Sequence, residues 1–153
     1  MTSITEPLHD HHKFCDELFA DAEDSAHGGE WVKCQEAFDR FRNELEAHFS
    51  TEENDLFPAF ERTTGMAGGP THVMRIEHAQ MRDLIGQMSS ALQAREPDTF
   101  LGTAETLLVL MQQHNMKEEN ILYPMCDRTL GAGGLDLAGR LGERRREAWP
   151  AAA

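Results

Sequence analysis

HFSTEENDLFP (residues 48–58) and HNMKEENILYP (residues 114–124) decide how this chain is read. The two stretches start sixty-six residues apart (114 − 48 = 66) and agree at six of eleven positions. Each runs histidine, three residues, Glu-Glu-Asn, one residue, leucine, an aromatic residue and proline. A histidine and a glutamate four residues apart point the same way from a helix. His48 with Glu52, and His114 with Glu118, are therefore two matched pairs of metal-ligand type. Each proline, Pro58 and Pro124, falls near the far end of its helix, where a kink is expected.

The segments around these phrases repeat with helical period, and strand-like alternation is scarce. Four long amphipathic helices are expected, at about residues 7–26, 30–62, 71–95 and 97–127. Gly28-Gly29, the loop TTGMAGGP (residues 63–70) and Pro97 punctuate them. LGAGG (residues 130–134) then breaks the pattern, and a short amphipathic tail helix is expected at about residues 135–149. The fold class is all-α: an antiparallel up-down-up-down four-helix bundle with a short C-terminal helix, in a single domain over residues 1–153. The bundle itself should occupy about residues 5–128.

Apolar seams at alternating spacings of three and four mark the core faces. The first helix presents Leu8, His12, Cys15, Phe19, Ala22 and Ala26. The second presents Cys34, Phe38, Phe41, Leu45, His48, Glu52 and either Asp55 or Leu56. On the third lie Met74, His78, Met81, Ile85, Met88 and Leu92. On the fourth lie Leu107, Met111, His114, Glu118, Ile121 and Met125. Each seam is apolar except at one level, where a histidine interrupts it.

Burying four imidazoles and two carboxylates without partners costs several kcal/mol per charged group. A hydrogen-bonded polar layer explains a single buried histidine well, but explains this set poorly. A metal site is the better reading. Four nitrogens and two carboxylates exceed the four ligands of a structural zinc ion. Bridging carboxylates between imidazoles suit a pair of iron or manganese ions. No HExxH motif occurs, and the Glu-x-x-His of ferritin-like bundles appears once, unpaired, at Glu6-x-x-His9.

With DHHKFCDELF (residues 10–19) ahead of them and RIEHAQM (residues 75–81) between, the two phrases resemble the hemerythrin-like (HHE cation-binding) family from about residue 5 to residue 128. The tandem His-x-x-x-Glu motifs carry that resemblance. It implies two non-haem iron ions, oxo- or hydroxo-bridged, with His48, Glu52, His78, His114 and Glu118 as ligands and Glu52 and Glu118 bridging. The first-helix ligand is His12 or, as the alternate, His11. Spacing to Cys15 and Phe19 favours His12, while His11 lies nearer the centre of the apolar face. His9 reads as a helix-end or surface residue. The implied function is to bind or react with O2, peroxide or nitric oxide. An iron sensor or buffer without turnover is the alternative, and whether the protein is an enzyme stays open.

One departure stands out. Oxygen-carrying hemerythrins place His-x-x-x-His on the third helix, whereas here Met74 stands four residues before His78. His72 is six residues before it, about 120° away around the helix. A water, Glu53, Glu119 or Tyr123 is left to fill the gap, which argues against reversible oxygen carriage. Glu53 and Glu119 read otherwise as acids behind the ligands, and Tyr123-Pro124 as a closure of the bundle's end.

A formal net charge of −13 argues against nucleic acid or an anionic membrane as partner. No apolar run of about 18 residues is present to span a bilayer. Three scattered cysteines, and an N-terminus without a basic region leading into an apolar run, give the expectation of a cytoplasmic protein. The expected partner is a small diatomic molecule or peroxide; no protein partner is indicated.

Overall fold

The structure is a computed structural model, and it describes residues 5–130. Helix α1 spans Thr5–His27 and α2 spans Trp31–Thr51. A π-helical turn over Glu52–Leu56 leads into α3, Phe57–Thr64. After a loop come α4, Pro70–Gln93, and α5, Pro97–Lys117. A second π turn, Glu118–Leu122, leads into α6, Tyr123–Leu130. Four helical arms result, because α2 runs on into α3 and α5 into α6. The expected bundle is present, and no strand occurs among the described residues. The tail helix expected at residues 135–149 lies outside them.

The termini of the arms follow from local chemistry. Pro70 and Pro97 open α4 and α5, where a missing N–H is no loss. Gly65 ends α3 in the left-handed region (φ 71°), returning its N–H to the Glu61 carbonyl.

Pro58 and Pro124 each sit just past a π turn, at the places where a kink was expected. A proline has no N–H for the carbonyl four residues back and crowds it. The chain relieves this by widening a turn: the Phe57 N–H reaches Glu52 O, and the Tyr123 N–H reaches Glu118 O, both five residues back. The widened turn also changes which residues face inward. Leu56 and Leu122 are buried with Glu52 and Glu118, whereas Ile121, expected in the seam, is exposed (55%). Cys126 is buried in the place expected for Met125. Every other expected seam residue is buried, with Leu56 rather than Asp55 taking the open position in the second seam.

Helix α1 packs chiefly on α2, and α4 chiefly on α5, so the bundle is two hairpins. The offset of sixty-six residues relates them throughout. His12 and His78, Cys15 and Met81, Phe19 and Ile85, Phe41 and Leu107, and Leu56 and Leu122 are all buried pairs at that spacing (78 − 12 = 66). The two hairpins read as an internal repeat of sixty-six residues.

Its core has three levels. A large apolar cluster, including Phe19, Phe38, Phe41, Met88, Phe100 and Leu107, fills the end formed by the α1–α2 and α4–α5 connections. A smaller cluster of Leu8, Leu56, Phe57, Phe60, Met74, Leu122, Tyr123 and Cys126 fills the other end. Between them lies a buried polar layer: His11, His12, Glu44, His48, Glu52, Glu77, His78, His114 and Glu118.

Candidate metal centre

Four imidazoles and two carboxylates converge in the polar layer. Each histidine turns Nε2 inward and Nδ1 outward. His12 Nε2 lies 3.1 Å from Glu118 Oε1, and His114 Nε2 lies 3.2 Å from the same oxygen. His78 Nε2 and His48 Nε2 lie 3.3 and 3.5 Å from Glu52 Oε1. Two groups among the described residues have ligand atoms close enough to hold a metal ion: Glu52, His78, His114 and Glu118, and His12, His48 and Glu118. Glu118 belongs to both.

The outward nitrogens are all occupied. His12 Nδ1 donates to Glu119 Oε2 at 2.7 Å, and His78 Nδ1 to Glu53 Oε2 at 2.7 Å. His114 Nδ1 donates to Glu77 Oε1 at 2.9 Å. His48 differs: its Nδ1 meets His11 Nδ1 at 2.7 Å, and His11 Nε2 meets Glu44 Oε1 at 2.9 Å. Glu44 accepts the His11 Nε2–H, so His11 Nδ1 accepts from His48 Nδ1–H. That leaves a bare lone pair on His48 Nε2, facing the centre. A carboxylate behind each imidazole, fixing its tautomer and its ring plane, is the support that metal-bound histidines require. Phe49 adds to it by stacking on His78, with centroids 3.9 Å apart.

The second glutamates of the repeated phrase therefore act across the bundle. Glu53 serves His78 in the opposite hairpin, and Glu119 serves His12. Glu53 is also held by Arg82, at 2.8 and 2.9 Å; Glu119 also pairs with half-exposed His9. Glu77 pairs with Lys117 as well as His114. Burial works against the charge of these three acids, yet the hydrogen bonds from Arg82, Lys117 and the imidazoles outweigh it and hold all three below the usual carboxylate range.

Without a cation, protons carry the balancing charge. Burial disfavours the charged form of His12, but Glu118 and Glu119 more than offset that and raise its pKa to about 10. Burial dominates at His48 and lowers it to about 4, so this ring is neutral. Burial opposes the charge of Glu52, yet the surrounding groups outweigh it and hold its carboxyl well below the usual range.

The balance is incomplete. Glu52 Oε1, His78 Nε2, His114 Nε2 and Glu118 Oε2 are buried and have no hydrogen-bond partner among the described residues. An unpaired buried polar atom costs about 1–3 kcal/mol. Four such atoms at one point rival the whole net stability of a domain, about 5–15 kcal/mol. They come from four different helical segments and aim at one another. A cation between them removes all four penalties at once, and nitrogen and carboxylate donors in this number suit a transition metal.

His12 faces the centre, whereas His11 stands behind His48. His72 is exposed in the first turn of α4, away from the centre. Met74 lies in the smaller apolar cluster and brings no nitrogen to the site. Two participants were not legible in the sequence, and a third, Tyr123, was read there only as an end closure or one of several groups to fill the gap at Met74. Glu44 and Glu77 were missed, although each flanks a seam histidine, four residues before His48 and one before His78. Tyr123 is more than an end closure: its hydroxyl lies 2.7 Å from Glu52 Oε2, 2.9 Å from Glu118 Oε1 and 3.0 Å from His48 Nε2.

The fold and the site together define a metal-binding four-helix bundle. The model of the hemerythrin HHE cation-binding domain matches residues 3–126, and the chain belongs to that family. No curated protein and no solved structure matches it. No helix among the described residues is long and apolar enough to cross a membrane.

Proposed function

We propose that this is a non-haem di-iron protein whose centre binds or reacts with O2, peroxide or nitric oxide. The carrying observation is the set of four unpaired buried atoms, together with the placement of Glu52 and Glu118. Glu52 turns Oε1 toward His78 and Oε2 toward Tyr123, while Glu118 turns Oε1 toward His12 and leaves Oε2 unpaired. Each carboxylate thus has an oxygen to offer either ion, as bridging requires.

In this reading His12 and His48 would hold one ion and His78 and His114 the other, with Glu52 and Glu118 shared between them. Two iron ions would supply redox chemistry toward a small ligand. The chain's own residues do the rest. Glu53, Glu77, Glu119 and the His11–Glu44 pair orient the imidazoles. The apolar clusters on both sides keep bulk water away. Met74 in place of a nitrogen donor one turn before His78 would leave coordination free at the His78–His114 ion for a small exogenous molecule, while Tyr123 places its hydroxyl beside His12 and His48. The net charge of −13 fits a small-molecule partner better than a nucleic acid.

The test is the absorption spectrum of anaerobically reconstituted protein, exposed in turn to O2, peroxide, azide and nitric oxide. Charge-transfer bands that change on these additions are expected. A spectrum indifferent to all of them would overturn the reactive reading and leave iron storage or buffering.

A further inference from the structure

The duplication makes the two metal positions look alike, but one pair of equivalent residues breaks the likeness. Tyr123 and Phe57 are related by the repeat (123 − 57 = 66) and are both fully buried. Each ring packs on the histidine of the arm it faces, in the same geometry: Tyr123 on His12 at 5.7 Å and 23°, Phe57 on His78 at 5.7 Å and 26°. They differ by one oxygen.

That oxygen sits in one metal position and has no counterpart in the other. It lies 2.7 Å from Glu52 Oε2, 2.9 Å from Glu118 Oε1, 3.0 Å from His48 Nε2 and 3.3 Å from His12 Nε2. A transition-metal ion needs such donors at about 2.0–2.2 Å. An oxygen surrounded by four of them at hydrogen-bond distance occupies the space where the ion would go. The hydroxyl has one proton to donate, and Glu52, Glu118 and His48 compete to accept it. On the Phe57 side the corresponding atoms, Glu52 Oε1, His78 Nε2, His114 Nε2 and Glu118 Oε2, have no such occupant.

Resting on the two-ion reading above, we infer that the two positions are unequal: the first ion enters at Glu52–His78–His114–Glu118, and Tyr123 holds the His12–His48 position against it. The second ion enters only by moving the Tyr123 hydroxyl aside. The duplicated scaffold thereby loads in a fixed order, and it can hold two different ions or a single ion in defined places.

The test titrates metal-free protein with Co(II) under anaerobic conditions, followed by calorimetry and by the visible spectrum of the bound ion. Two steps are expected, with dissociation constants separated by at least about tenfold. His12→Gln should keep the tighter step and lose the weaker, and His78→Gln should do the reverse. Tyr123→Phe, which removes only the oxygen, should tighten the second step at least about fivefold and leave the first unchanged. Where a histidine variant fails to fold, imidazole resonances of the wild type at one equivalent of Co(II) serve instead: those of His78 and His114 should shift or broaden first. Simultaneous uptake of both ions, first effects at His12 and His48, or an unchanged gap in Tyr123→Phe would each overturn the inference. Failure to bind Co(II) at all would instead overturn the metal reading on which it rests.

Discussion

The α1–α2 hairpin and the α4–α5 hairpin carry the same inward histidines and glutamate on the same scaffold, yet they surround them differently. In the second hairpin His114 leans directly on Glu77, which is tied to Lys117. In the first, the residue equivalent to Glu77 is His11 (77 − 11 = 66), and His48 reaches a carboxylate only through that imidazole. Glu53, which supports His78, is pinned by Arg82; the residue equivalent to Arg82 is Asp16, and Glu119 has His9 for company instead. One half is braced by permanent cations and the other by groups whose charge depends on protons. The inward histidines and glutamates repeat, and so do Glu53 and Glu119 behind two of them; the partners of those acids, and the group behind His48, do not. Duplication supplies two similar sets of inward histidines and glutamates, and changes around them make the sets unlike.

The largest expected effect lies where the halves join. On the proposed two-ion reading Glu52→Ala or Glu118→Ala removes a bridging carboxylate, and each variant should lose at least one ion per chain by metal analysis. Retention of both ions would remove the bridging role. The same substitution at exposed His72 should leave the metal content unchanged, which serves as the control.

Smaller effects separate the halves. Glu119→Gln should weaken the His12 position, and Glu53→Gln the His78 position, each by about 10–100-fold in metal affinity. Calorimetric titration of the two variants reads both. The assignment of these acids across the bundle fails if either variant affects the opposite step.

The pH dependence is subtler and belongs mostly to the first hairpin. His12, raised to about 10, stabilises the metal-free fold fully below its unfolded value near 6.5, and that contribution is lost as pH rises through 10. His48, lowered to about 4, acts in the other direction: its contribution is present above 6.5 and is lost as pH falls through 4. Thermal melts of metal-free protein should therefore peak near pH 6.5 and fall on both sides. Metal occupancy should flatten the alkaline limb, because the ion replaces the proton on His12. A melting temperature that rises steadily from pH 6.5 to 10 would contradict the protonated state of His12.

The fold was largely legible because period is a one-dimensional signal. Seams at three-and-four spacing located the core in every arm, and the interrupting histidines located the polar level. Legibility ended where the period changed. Pro58 and Pro124 announce a disturbance, but a kink and a π turn share that signature. The difference moved burial from Ile121 to Leu122. The inward-facing imidazoles and carboxylates could be listed from the same seams, since His48–Glu52 and His114–Glu118 are local pairs. His11 and His12 could not be separated, because both are buried and only the neighbouring arms distinguish them: His11 meets Glu44 and His48, His12 meets Glu118 and Glu119. The partners of the outer nitrogens were illegible for a related reason. They bridge arms, and the relative height of two arms is set by packing, with no trace in either arm's own spacing.

The central claim is that two ions sit between Glu52 and Glu118. Iron analysis of protein reconstituted anaerobically with Fe(II), after removal of loosely bound metal, tests it most directly. Two iron ions per folded chain are predicted; fewer than one would contradict the di-iron account.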